Sequence, residues 1–101
     1  MLIVIVEAVT ASHEDAERLI AQGRLLVAAT RREEGCLSYS FAQDILDPAI
    51  VRVTERWQDS ALMQAHLAAP HTAAFLTLLQ SVKLKSMTAK VYDASGERDL
   101  F

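Results

Sequence analysis

Hydrophobic and polar positions change period several times along the chain, and each change marks an element. Leu2 to Val9 is almost unbroken in apolar character and rich in β-branched side chains, which predicts a strand. The period then lengthens. Ala16, Leu19, Ile20, Gly23, Leu26, Val27 and Thr30 recur at the spacing of one helix face, while Arg18, Gln22, Arg31 and Arg32 fall largely elsewhere. Ser12 and Asp15, just ahead, have the spacing of a capping box, with Asp in place of the longer Glu. Gly35 is placed to end this helix. From Cys36 to Ile45 the period falls to two, with Leu37, Tyr39 and Phe41 on one side and Ser38, Ser40 and Ala42 on the other. Asp47-Pro48 is a turn signal, and Ile50 to Trp57 returns as the second strand of a hairpin. Val51, Val53, Glu55 and Trp57 share one of its faces. Asp59 or Ser60 caps a second helix, from Ala61 to about Ala68, which Pro70 breaks or restarts. A third helical piece is predicted from Thr72 to Gln80 and a last alternating strand from Val82 to Asp93.

The order is β-α-β-β-α-β. It predicts an α+β fold of ferredoxin-like type, an antiparallel sheet with its helices on one face. Residues 1–93 form the domain and 94–101 a C-terminal tail, polar except for its final Leu100-Phe101. Strand 1 adds a complication. Leu2, Val4 and Val6 alternate with Ile3 and Ile5, so the strand is apolar on both sides. Helices on one face would leave one set in water, and exposed apolar patches of that size are uncommon on soluble monomers. A second copy packed sheet against sheet would cover them. The plainer alternative is a strong central strand with modest exposure.

Composition narrows the picture. With 101 residues there is room for one core, and 51% hydrophobic with 23% charged residues predicts a globular chain. The net charge of −3 and the lack of a cationic cluster beyond Arg31-Arg32 and Lys83-x-Lys85 argue against nucleic acid. Leu2 to Val6 is too short to span a membrane and lacks the flanks of a signal peptide. A single Cys cannot form an internal disulfide, which points to the cytoplasm. Glycines at 23, 35 and 96 make no phosphate loop, so a nucleotide or flavin is not supported.

The chemistry is concentrated between Glu55 and Phe75, where a carboxylate, an indole and two imidazoles fall close together. Here the chain resembles a known family. Glu34-Gly35-Cys36-Leu37-x-Tyr39, Asp47-Pro48, Glu55-x-Trp57-x-Asp59 and Ala65-His66-x-x-x-Pro70-His71 follow one another as in the antibiotic biosynthesis monooxygenases. Within that family the chain looks most like the small bacterial quinol monooxygenases, and the resemblance runs from strand 1 to strand 4. It implies a dimeric α+β barrel, with a pocket between sheet and helices in each subunit. It also implies oxidation of a quinol or polycyclic phenol by O₂, without metal, flavin or other cofactor. The physical logic is simple. Triplet O₂ reacts poorly with closed-shell molecules, but a phenolate or carbanion can pass it one electron. The protein then has to deprotonate the substrate, hold it among apolar walls and exclude water. An imidazole suits the first task and an apolar pocket the second.

The resemblance makes His66 the first candidate base, oriented by Glu55, with the two side chains predicted to lie within hydrogen-bond reach. The competing reading is a purely structural tie between strand and helix. His71 follows Pro70 at a helix start, where the dipole favours a neutral imidazole; it is the second candidate base or a surface capping residue. Tyr39 is the candidate donor to the substrate oxygen. Trp57, Phe75 and Met63 are candidate walls, although core packing is the first reading for each. Cys36 reads as a small buried hydrophobe. No metal is expected, because His66 and His71 are not an i, i+4 pair and no cysteine cluster exists. Three other functions compete. An isomerase of a phosphorylated signalling sugar would want Arg or Lys, and none lies between Gln58 and Val82. Haem degradation would want a ligating His beyond His71, where Thr72 to Thr77 offer none. The last is a non-catalytic binder of small hydrophobic molecules.

Overall fold

The computed structural model describes residues 1–101. Its elements are β1 (Leu2–Thr10), α1 (His13–Thr30), β2 (Cys36–Gln43), β3 (Ile50–Trp57), α2 (Ser60–Leu67), α3 (Pro70–Leu79) and β4 (Leu84–Asp93). The four strands form one antiparallel sheet in the order β2-β3-β1-β4. This is the expected ferredoxin-like arrangement, with its second helical segment in two pieces.

The helix starts follow from their caps. Ser12 Oγ accepts from the Asp15 backbone N–H at 3.2 Å and donates to the Asp15 carboxylate at 2.8 Å. Asp59 accepts from the Leu62 N–H at 2.9 Å and so starts α2. Pro70 opens α3 at a position where its missing N–H is no loss. Thr72 Oγ1 donates to the His66 carbonyl at 2.7 Å and ties the two short helices together.

Three details between α1 and β3 depart from the sequence expectation. Helix α1 stops at Thr30, well before Gly35, because Arg32 and Glu33 turn back onto the Ala29 and Thr30 carbonyls. Gly35 has a different task. It sits at φ +81°, and a Cβ there would lie 2.7 Å from the Cβ of Leu62. Its carbonyl accepts from the Gln58 N–H at 2.8 Å, which fixes the 31–35 turn against the start of α2. Second, the alternation of β2 is interrupted. Cys36 faces Trp57 and Ser38 faces Arg56, so Leu37 is an extra residue in a bulge. Leu37 is therefore exposed, and Cys36 packs against the core in its place. Third, β2 ends at Gln43, and Ile45 and Leu46 project into solvent from a turn organised by the Asp44 carboxylate.

The core lies between the helices and one sheet face. One cluster joins Leu2, Val4, Leu26, Tyr39, Val53, Trp57 and Met63, and a second joins Ala8, Ala16, Leu19, Val51 and Val82. Val82 is buried ahead of β4 rather than within it. On the opposite face Ile3 and Ile5 of β1 lie between Arg56 and Thr54 on one side and Tyr92 and Lys90 on the other. Ile5 and Tyr92 remain 42% and 48% exposed. No helix is long and apolar enough to cross a membrane.

Candidate active site

Strand alternation sends Val53, Glu55 and Trp57 to the helix-covered face, and Tyr39 stands beside Glu55 in the β2–β3 ladder. Helix α2 brings Met63 and His66 over them. Trp57 is fully enclosed, and its indole N–H donates to Glu55 Oε1 at 2.8 Å. Its ring lies against the His66 imidazole at 4.9 Å between centroids, 32° from parallel. Tyr39 meets the same imidazole edge-on at 5.4 Å. His66 is thus gripped between two aromatic rings and is only 3% exposed.

The imidazole is oriented by a residue that sequence reasoning missed. His66 Nδ1 lies 2.6 Å from Glu33 Oε2, and the same oxygen lies 2.9 Å from His71 Nε2. Glu33 sits in the turn held by Gly35. The expected Glu55–His66 hydrogen bond is not formed: Glu55 spends its bond on Trp57, and His66 Nδ1 turns toward the α1–β2 turn, with Thr72 Oγ1 at 3.3 Å. Strand and helix do bring the two residues together, but the ring points to a third element that proximity along the chain does not reveal. No sequence signal separated Glu33 from the adjacent Glu34, and an acidic residue in a turn ordinarily reads as solvated.

Between the sheet and helices α2 and α3 lies a cavity of about 290 Å³, near the lower end for small-molecule sites. Fourteen of its seventeen lining residues are hydrophobic, and none is Lys or Arg. Tyr39, Glu55, His66, Met63 and Phe75 all border it. Trp57 and His71 do not. Trp57 lies behind the imidazole as a prop rather than a wall, because its position under α2 encloses it. His71 stands on the far side of Glu33, with its side chain 27% exposed. Phe75 meets Phe41 edge-to-face at 5.6 Å, and Met87, Ala89 and Val91 of β4 complete the lining.

The electrostatics assign protons. Burial holds the Tyr39 hydroxyl far above its usual pKa, and the negative charge of Glu55 pushes the same way, so it stays neutral and can only donate to an anion. Burial also raises the Glu55 carboxyl, against the smaller opposing pull of the Trp57 hydrogen bond and the neighbouring His66. The Cys36 thiol is pushed up by burial and by Glu33, which removes it as a nucleophile. His66 Nδ1 is occupied by Glu33, leaving Nε2 as the nitrogen free for chemistry.

The model of the family described as antibiotic biosynthesis monooxygenase matches residues 1–78. A crystal structure from Deinococcus radiodurans, assigned by its description to the same family, superimposes with a TM-score of 0.91 at 28% identity, covering 100% of this chain and 99% of that one. The Pseudomonas aeruginosa protein PA3566 gives 0.82 at 29% identity, with 94% of each chain covered. The uncharacterized protein sll1783 of Synechocystis is 26% identical over 98 residues, which span 97% of this chain and 67% of that protein.

Proposed function

The chain belongs to the antibiotic biosynthesis monooxygenase family, and from that premise we propose that it is a cofactor-independent monooxygenase of a quinol or polycyclic phenol. The observation that carries this reading is one imidazole, locked at Nδ1 by Glu33 and bordering an apolar cavity. His66 Nε2 takes the proton from the substrate hydroxyl. Glu33 keeps the proton on Nδ1 and stabilises the imidazolium that forms, in the manner of a carboxylate behind a catalytic histidine. The buried charge of Glu55 adds to that stabilisation, and the Tyr39 hydroxyl donates to the substrate anion. The anion passes one electron to O₂, and recombination forms the C–O bond. A quinol plus O₂ gives a hydroxylated quinone plus water, so the substrate supplies every electron and no reductant is needed. Phe75, Met63 and their apolar neighbours hold the ring.

A cavity without Lys or Arg, and with Glu55 in its wall, is a poor host for a phosphorylated sugar. We also propose that two copies pack through the outer sheet face around Ile3, Ile5 and Tyr92, leaving the cavity on the inner face of each. The test of the reaction is oxygen uptake with a panel of quinols and anthrones, in the presence of chelator and without added flavin. Protein-dependent uptake of one O₂ per substrate, with one oxygen atom in the product and no hydrogen peroxide released, supports it. Tight binding of these compounds with uptake no faster than autoxidation would make the chain a binder instead.

A further inference from the structure

Glu33, His66 and His71 form a cluster that a general-base reading does not use in full. Only one imidazole borders the cavity, yet two converge on a single carboxylate oxygen. Glu33 Oε2, His66 Nδ1 and His71 Nε2 all lie within 4.8 Å of one another. Two imidazole nitrogens and one carboxylate oxygen on one side of a point are the donor set of a facial site for a divalent first-row transition ion. We propose that the chain binds such an ion, with zinc(II) as the natural probe, at Glu33, His66 and His71.

The geometry is close to what an ion needs. A tetrahedral ion with bonds of about 2.0–2.1 Å holds its ligand atoms roughly 3.3 Å apart. The two Glu33 spacings of 2.6 and 2.9 Å are those of hydrogen bonds and must open by about half an ångström, while the two imidazole nitrogens, within 4.8 Å of each other, must draw together. The parts that would move can do so: Glu33 is in a turn, and His71 is the second residue of α3. Partial exposure of Glu33 and His71, at 18% and 27%, gives the ion a way in and an open position toward solvent. The enclosed His66 ring, held between Trp57 and Tyr39, supplies the preorganised ligand. Spacing along the chain argued against this site, because its two histidines lie on different helices and its carboxylate comes from a turn more than thirty residues upstream.

Binding has a chemical consequence. An ion on Nδ1 requires the proton of a neutral imidazole to sit on Nε2. His66 then cannot accept a proton from a substrate in the cavity. The metal-bound form is therefore the inactive form of the proposed monooxygenase, and this consequence, unlike the binding itself, rests on that proposed function.

The experiment uses untagged, chelator-treated protein. Zinc(II) is titrated calorimetrically, and cobalt(II) is followed by its visible d–d absorption. The expected result is one ion per chain. Affinity should fall about tenfold or more in Glu33→Gln and in His71→Ala, two partly exposed positions where folding should survive. His13→Ala removes the surface His13–Glu17 pair and should bind as wild type. Magnesium and calcium should not bind. Absence of saturable binding would overturn the proposal, as would equal affinity in the Glu33 and His71 variants or loss of binding in His13→Ala. These readouts need no turnover, so they stand even if the chain proves not to be an oxygenase. If zinc binds as described but leaves oxygen uptake unchanged, the site stands and the role of His66 Nε2 as base falls.

Discussion

Glu55 shows how one buried group sets a pH dependence. Its folded pKa is raised by burial, so the native state holds its proton more tightly than the unfolded chain does. The stability this contributes is fully present below the unfolded value, about pH 4.3, and is lost as pH rises through the folded value. Glu55→Gln removes that loss, and the amide carbonyl can still accept from Trp57. Denaturant melts between about pH 4 and pH 7 should show the variant gaining on the wild type as pH rises; parallel curves would contradict the assignment. Thr30 makes the same point about neutral groups. It is fully buried at the end of α1, and its hydroxyl has no partner. Thr30→Val should leave stability unchanged or raise it by up to about 1 kcal/mol, and a clear loss in thermal midpoint would show that the hydroxyl is satisfied. At this scale the sequence was only partly legible. The residue types needed for proton transfer were visible in Glu55, His66 and Tyr39. Glu33 was not, because its contacts are set by where a turn meets two helices. The depth of Trp57 was hidden too: alternation tells which face a residue takes, but not what covers it.

Among the elements, the periods of the pattern carried most of the architecture. The strands and helices lie close to where alternation and caps put them, since both signals are local. The bulge at Leu37 escaped because it is settled by the neighbouring strand β3, and the early end of α1 because Arg32 and Glu33 turn back onto the carbonyls of its last turn, with no glycine to mark the stop. Gly23 belongs to the same class. It reads as one more position on the helix face, but a Cβ there would lie 2.7 Å from Phe41 Cδ2. Replacing an interior helical Gly by Ala favours the helix by roughly 0.5–1 kcal/mol. Overpacking costs about 1–3 kcal/mol. The second should win, so Gly23→Ala should lose about 1 kcal/mol net in a denaturant melt. Phe41 borders the cavity and touches Phe75, so the displaced ring should also weaken binding of aromatic ligands. A more stable variant would show that Phe41 yields freely and that α1 does not fix the cavity wall.

For the whole molecule, the two-sided apolar character of β1 survives in the fold, though Arg56 and Lys90 interrupt the outer patch. The proposed dimer should bury above roughly 1,200 Å² in total to be stable. Light scattering should then give about twice the chain mass of 11.1 kDa, and Ile5→Lys should return the protein to a monomer. A wild-type monomer at micromolar concentration would remove the sheet-to-sheet pairing and leave Ile5 and Tyr92 as ordinary exposed side chains. The central claim concerns the inner face, where β3, α2 and the 31–35 turn converge to aim one imidazole at an apolar cavity. Its most direct test is the initial rate of oxygen uptake by wild type and His66→Ala on the best quinol found, in chelator, with thermal midpoint and mass measured for both. The account predicts a fall of about 10²–10⁴-fold in the variant with the fold intact. Wild-type uptake by His66→Ala would contradict it.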